Sequence, residues 1–376
     1  MLKEGVAWGV EGVRQMLDKC KECGWSRVYW RVLDGGRALY KSNLLQPMGA
    51  WDADSFWTPQ SDADKALLFR FTPNLSEPQR AALVKKFTAL DYAHFDPFAE
   101  AVRYGHEIGL QVHAWVTINE DDHGWGLQSA FSKLHPQFRW RRRNGRTYRS
   151  QLSFSFPEVR RYKLAILEEL LSGYNLDGIF LDWIRTGDVR DNPQNDTAGI
   201  ADYGYENPLL ETGAVPDNSN EPWIRRRAEP QTEFMRAVRE LVHKQKRLVP
   251  IATLVGHPWH YRGELNTIDG NLRGLLLDVA AWADEGLVDA VVAAGYYRDG
   301  GNAELAWRAL REETGGKVDV WTYAWVPGSV ADLEQSVGVA DNVAARQILF
   351  WEADYIDDRV NAVELKEAMR KRAAER

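Results

Sequence analysis

Short apolar runs alternate along this chain with stretches whose hydrophobic positions recur every three to four residues. The first kind reads as strands buried on both faces, the second as helices with one apolar side. Strands are predicted at Gly5–Gly9, Ser26–Leu33, Leu110–Ile118, Gly178–Asp182, Leu248–Val255, Val288–Tyr296, Val318–Ala324 and Gln347–Trp351. Helices are predicted near Glu11–Cys23, Glu77–Leu90, Pro97–Ile108, Pro157–Ser172, a stretch ending at about Lys244, Asn271–Glu285, Ala303–Thr314, Val330–Ala345 and Arg359–Ala373. Pro157 sits in a first helical turn, where proline is favoured, and Pro230 is expected to start or kink its helix. Eight strands with helices between them predict the α/β class and a (β/α)₈ TIM barrel. The long polar segments Asp34–Thr72 and Thr186–Pro222 follow strands, not helices, which predicts elaborated loops on the strand C-terminal face. No low-complexity linker or internal repeat interrupts the series, so residues 1–376 read as a single barrel domain.

The fourth predicted strand carries the sharpest chemical signal. In DGIFLDWIR (177–185) the apolar run Ile179-Phe180-Leu181 ends in Asp182, followed by Trp183 and Arg185. A carboxylate at that position is costly to desolvate unless a charged or hydrogen-bonding group meets it. In parallel α/β barrels the C-terminal strand ends are where the chemistry sits. Trp and Arg beside the acid suit a ligand with flat apolar faces and many hydroxyls, as in a sugar; the plain alternative is that Asp182 pairs with Arg185 or caps the next turn. Other acids at predicted strand ends are Glu352 with Asp354, Glu120 to Asp122, Asp34 and Asp299. Asp177 and Asp289 lie at strand starts, on the opposite face.

Composition narrows the ligand. A net charge of −7 argues against nucleic-acid or anionic-membrane partners, which favour basic surfaces. No apolar run is long enough to span a bilayer, and the first fifteen residues lack the apolar centre of a secretory signal. The chain as it stands reads as cytoplasmic, and as exported if a signal has been removed from it. Cys20 and Cys23 are the only cysteines; with no second pair to complete a zinc site they read as reduced thiols on a helix. Many of the 16 tryptophans sit at predicted strand ends or loops, although several must be core, and the excess near loops favours a carbohydrate ligand because aromatic faces stack on pyranose C–H faces. Asn119–His123 has oxygen ligands for a hard cation but lacks EF-hand spacing and reads as a solvated loop. The basic run 139–149 reads as an exposed hairpin-like loop or an acidic-sugar contact. No phosphate loop, Gly-x-Ser-x-Gly elbow or His-Glu-x-x-His helix is present.

Three blocks in order, RVLDGGRALYKSNL (31–44), FDPFAEAVRYGHEIGLQVHAWV (95–116) and LSFSFPEVRRYKLAILEELLSGYNLDGIFLDWIR (152–185), resemble the glycosyl hydrolase-like family 10 proteins, and the helix WIRRRAEPQTEFMRAVREL (223–241) resembles the one that follows them there. The resemblance implies a barrel glycosidase acting on a glycan and puts Asp182 at its pocket. It does not supply the second acid, because this chain's last strand ends in Trp351-Glu352 where the family pattern has no acid. Glycosidic hydrolysis needs two carboxyl groups, one protonated and one ionised. The expected catalytic residues are therefore Asp182 as nucleophile or base and Glu352 as acid/base, with Asp121 in reserve. Trp115, Trp183, Tyr297, Trp325 and Trp351 are expected to form sugar-stacking walls, and Arg31, Arg185 and His257 to bind hydroxyls or a carboxylate. The expected partner is a carbohydrate substrate, with no cofactor, metal, nucleic acid or membrane, and nothing in the sequence fixes an oligomeric state. The rival reading is a carbohydrate-binding barrel without catalysis. A phosphate-handling isomerase or lyase would want a Gly-rich turn where this chain has WVPG and WEAD.

Overall fold

Strand side chains alternate between two faces, and in this chain both faces are buried. The computed structural model describes residues 9–47, 91–92, 94–118, 129–141, 147–183, 204–213, 220–245, 249–255, 276–293 and 300–375, together with single positions at 76, 78, 79, 82, 85, 121, 143, 145 and 216. The strands are β1 (Arg27–Arg31), β2 (Leu33–Asp34), β3 (Arg37–Ala38), β4 (Gln111–Thr117), β5 (Arg139–Arg141), β6 (Thr147–Leu152), β7 (Gly178–Asp182), β8 (Ile251–Val255), β9 (Ala290–Ala293), β10 (Asp319–Trp325) and β11 (Ile348–Trp351). The helices are α1 (Gly9–Glu22), α2 (Pro97–Glu107), α3 (Ala130–Leu134), α4 (Pro157–Gly173), α5 (Asn207–Leu210), α6 (Glu221–Lys244), α7 (Val279–Asp284), α8 (Gly300–Glu313), α9 (Val330–Asn342) and α10 (Ala362–Glu375).

Seven strands pair in parallel in the order β1-β4-β7-β8-β9-β10-β11, a curled sheet of the (β/α)₈-barrel type. Its two end strands meet through side chains: Arg27 Nη1 donates to Gln347 Oε1 at 2.9 Å, and Gln347 Nε2 donates to the Tyr29 hydroxyl at 2.9 Å. The strand expected at Gly5–Gly9 lies outside the described residues except for Gly9, which begins α1. No helix among the described residues is long and apolar enough to cross a membrane.

One phase of the alternation points into the barrel. Phe180, Ala252, Leu254, Ala290, Val292, Trp321, Tyr323, Leu349 and Trp351 form one buried cluster there, with Tyr29 and Trp115 against it. The other phase, including Val112, Ala114, Val116, Ile179, Leu181, Trp183, Ile251 and Val291, packs under the helices in a separate and larger core. Small Ala252 and Ala290 beside large aromatic rings let side chains fill a tapering interior.

The helices are placed by local chemistry. The Asp96 carboxylate caps α2 by accepting from Phe98 N at 3.0 Å and Ala99 N at 3.1 Å, with Pro97 next to it. The α6 helix runs unbroken through Pro230, so the expected start or kink at that residue resolves as a proline inside a long helix. Gly24, with φ +76°, ends the segment after α1 where a Cβ would lie 2.9 Å from Arg370 Cα of the closing helix. At the strand starts, Asp177 accepts from Val112 N and His106 Nε2, while Asp289 accepts from Ile251 N and Arg239, stitching neighbouring strands together on the face away from the site.

One glycine has a packing reason. The His113 ring is 2% exposed and lies against Gly178 of the next strand, where a Cβ would stand 2.1 Å from Nδ1. Burial pushes the imidazole down to about 3, so it is neutral at physiological pH. Gly178→Ala is expected to destabilise the chain by about 1–3 kcal/mol in urea denaturation, the usual cost of overpacking. Combining it with His113→Ala should shrink that penalty; an unchanged penalty would place the strain elsewhere.

Candidate active site

The parallel strands bring their last residues to one end of the barrel. Arg31 closes β1, Thr117 closes β4, Asp182 closes β7, Trp325 closes β10 and Trp351 closes β11. Thr117 is in register with Asp182, and Trp325 with Trp351. Asp182 is 1% exposed and shares the inward phase of Phe180. Its Oδ2 accepts from the indole Nε1 of Trp115 on the adjacent strand at 3.2 Å. Trp115 meets the ring of Trp351 edge-on, with centroids 4.3 Å apart, and Trp351 Nε1 donates to Glu352 Oε1 at 3.1 Å. The two expected acids are thus joined through a pair of touching indoles, although their strands lie at different places around the ring.

Glu352 reaches this arrangement by a backbone irregularity. In regular strand geometry the side chain after Trp351 would point to the opposite face. Instead Glu352 adopts φ 65° and ψ 66°, a left-handed conformation that costs a non-glycine residue about 1–3 kcal/mol. The turn brings its carboxyl back beside the Trp351 indole and starts a short 3₁₀ segment at Ala353. Burial is the main cause that raises the Glu352 carboxyl above its ordinary value, and Asp354 adds to it; the Trp351 bond and the Arg31 charge oppose it. A carboxyl whose proton affinity is raised in this way suits an acid that delivers a proton.

Arg31 stands beside these groups. Its Nε donates to the Leu33 carbonyl at 3.1 Å, and its guanidinium lies 6.0 Å from the Trp115 ring centroid. Trp325 is 37% exposed at the end of β10 and can present a ring face to a ligand. Trp351 is buried, and Trp115 is half-buried with Phe180, Trp351 and Arg31 around it. Arg185, His257 and Tyr297 lie outside the described residues.

Two expected site residues are corrected. Trp183 is wholly buried, but between the sheet and its helices, against Phe154, Phe234 and Trp282. The cause is the alternation itself: with Asp182 facing inward, the next residue faces outward. Burying an indole of roughly 150–250 Å² at about 25 cal/mol per Å² contributes several kcal/mol to the core, so Trp183 is a core residue and no sugar wall. Asp121 is also wholly buried and bonds to Lys163 Nζ at 2.9 Å and to the Ser129 hydroxyl. Lys163, 1% exposed, belongs to α4 outside the barrel. A carboxylate paired with a buried ammonium is locked in that ion pair, and removing either member would strand the other's charge. Asp121 anchors the segment after β4 and leaves the catalytic set. Asp182, equally buried, accepts from the neutral Trp115 indole.

Sequence reading assigned Trp115 to stacking and missed that its N–H serves Asp182. The signal was available in the matching inward phase of Trp115 and Asp182 on neighbouring strands. Cys20 and Cys23 are both buried free thiols, pushed up to about 12 mainly by burial. Among the described residues no group of three or more His, Cys, Asp or Glu is placed to hold a metal ion.

A family profile described as glycosyl hydrolase-like 10 matches residues 77–316, more than half of the chain. No curated protein matches. Among solved structures the chain is similar to the glycoside hydrolase domain of PgaB (BpsB) from Bordetella bronchiseptica, at 14% identity and a TM-score of 0.56, covering 96% of this chain and 93% of that one. It is similar to the catalytic domain of a β-amylase from Paenibacillus polymyxa, at 10% identity and a TM-score of 0.57, covering 99% and 97%. It is also similar to α-L-fucosidase isoenzyme 2 from Paenibacillus thiaminolyticus, at 13% identity and a TM-score of 0.58. There the match covers 99% of this chain but only 47% of the other, so the chain spans about half the fucosidase's length. At these identities the structural likenesses establish the barrel.

The basic run includes a β5–β6 hairpin, and Arg139, Arg141 and Arg143 of it are engaged. Arg141 bonds the Gly145 carbonyl and Asn207, and Arg143 bonds the Tyr205 hydroxyl. The segment after β7 extends this hairpin: Tyr205 N donates to Arg141 O at 3.1 Å and Arg141 N to Glu206 Oε1 at 2.9 Å. Burial pushes Glu206 up to about 7, against the partial relief given by backbone N–H groups, Ser153 and the Arg227 charge. Between its ordinary 4.5 and about 7 the native chain keeps a proton here that the unfolded chain has lost, so stability falls as pH rises through that window. Urea denaturation should show a loss of about 1–3 kcal/mol across it. Glu206→Gln, which keeps an acceptor for Arg141 N, should flatten the dependence; an equally steep curve in the variant would acquit Glu206.

Proposed function

The chain belongs to the glycosyl hydrolase-like 10 family, and from that premise we propose that it hydrolyses glycosidic bonds in a poly- or oligosaccharide, with Asp182 and Glu352 as the two carboxyl groups. The observation that carries this reading is the linked pair itself: Asp182 and Glu352, from β7 and the end of β11, each accept an indole N–H from one of two touching tryptophans. Asp182, met by an uncharged donor, serves as the nucleophile or as the base that takes a proton from water. Glu352, raised by burial, donates its proton to the departing glycosidic oxygen as the C–O bond breaks. Among the described residues, Trp325 offers a ring for stacking on a sugar, and Arg31 is a cation whose charge acts on Glu352.

A panel of neutral and acidic polysaccharides, assayed for newly formed reducing ends, tests the proposal. Asp182→Asn should abolish release on whichever glycan the wild type cleaves, and Glu352→Gln should lower kcat by about 10²–10⁴-fold, the usual contribution of general acid catalysis. Both variants should keep the wild-type circular dichroism and melting temperature. Near-wild-type cleavage by Asp182→Asn would remove the assignment. Wild-type binding to a polysaccharide with no reducing ends released would leave a carbohydrate-binding barrel in its place.

A further inference from the structure

We propose that Trp115 is a positioning residue for Asp182, that Trp351 serves Glu352 in the same way, and that the two indoles in edge contact form one support beneath both carboxyl groups. This rests on the assignment of Asp182 and Glu352 as the reacting pair. An indole carries a single N–H donor and no acceptor, so its orientation declares its partner. Trp115 spends that donor on Asp182 Oδ2 at 3.2 Å and Trp351 on Glu352 Oε1 at 3.1 Å.

The surroundings of the rings argue against stacking on a sugar. Trp115 is flanked edge-on by Phe180 at 5.6 Å and Trp351 at 4.3 Å, with the Arg31 guanidinium 6.0 Å from its centroid. Trp351 is 6% exposed and also meets the Tyr323 ring at 5.5 Å. A platform must show a face to solvent, and the neighbouring Trp325, 37% exposed, does so more than Trp351. Fixed rings on all sides hold each N–H in place, which a solvent-exposed donor would not be.

The chemistry of the donor matters as much as its position. A lysine, as at Asp121, would lock a carboxylate in an ion pair. An indole N–H stabilises the ionised form by one hydrogen bond and itself adds no net charge. The support also depends on barrel closure. Trp115 comes from β4 and Trp351 from β11, at the far end of the sheet order, and they meet only because the sheet curls round.

The full-length chain labelled with ¹⁵N-tryptophan and ¹³C-labelled carboxyl groups tests this without a substrate. One indole N–H resonance should move with pH and lose that movement in Asp182→Asn, and a second should lose it in Glu352→Gln; this arm needs neither tryptophan variant to fold. Trp115→Phe should raise the Asp182 carboxyl midpoint by about one pH unit, and Trp351→Phe that of Glu352. On the glycan cleaved by the wild type, Trp115→Phe should lower kcat about tenfold with KM little changed, and should shift the acidic limb of the pH profile upward. Indole resonances indifferent to both acids, or a raised KM at unchanged kcat, would overturn the proposal in favour of a stacking wall. If Asp182→Asn still cleaves, the glycosidase assignment fails. If cleavage needs Asp182 but neither Phe variant moves a carboxyl midpoint, only the positioning role fails.

Discussion

The constraint on which the rest of this structure depends is that the strands of a curled parallel sheet are covered on both faces, fully so at β7 and β8. Every side chain must then belong to the barrel interior or to the layer under the helices, and its neighbour in sequence goes to the other. Below the mouth this produces two dry cores, one around Phe180, Trp321 and Tyr323 and one around Ile179, Leu181 and Trp183. At the C-terminal strand ends the inward phase runs out of apolar neighbours, and there Arg31, Asp182 and Trp325 come together. The candidate site is the place where the interior phase stops being hydrophobic.

Burying acids in such a structure demands compensation, and the chain uses different kinds for different tasks. Asp121 has an ammonium and a hydroxyl, which makes it a clamp between the segment after β4 and the helix α4. Glu206 has backbone N–H groups, Ser153 and the Arg227 charge, which only partly offset the burial that raises it to about 7. Asp182 and Glu352 have indole donors, which orient a carboxyl group without neutralising it.

The left-handed backbone at Glu352 fits the same logic. A regular strand would have placed this carboxyl outside, as it placed Trp183 outside after Asp182. A local conformational cost of about 1–3 kcal/mol breaks the alternation at one residue and brings the acid to the indole of the residue before it. Strain of this kind persists where surrounding contacts hold it, and here the following 3₁₀ segment is anchored by the buried Ile356.

The sequence by itself determined the class of fold and the location of its chemistry. The spacing of apolar runs such as Gly178–Asp182 and Gln347–Trp351 marked strands, because a run too short for a helix yet apolar throughout is buried on both faces. The acids that close those strands marked the working end. It also determined that Trp183 belongs to the core, since a period of two leaves no choice once Asp182 faces inward, although that consequence was missed in favour of the residue's chemical suitability. Tertiary structure alone decided the rest. The meeting of Trp115 with Trp351 depends on the curl that brings β4 and β11 together, and the pairing of Asp121 with Lys163 joins residues 42 apart across a loop and a helix. The turn of Glu352 toward the site depends on a left-handed residue that no local preference of glutamate favours. Periodicity is a property of neighbours along the chain and can be read from them; closure, pairing and strain are properties of neighbours in space.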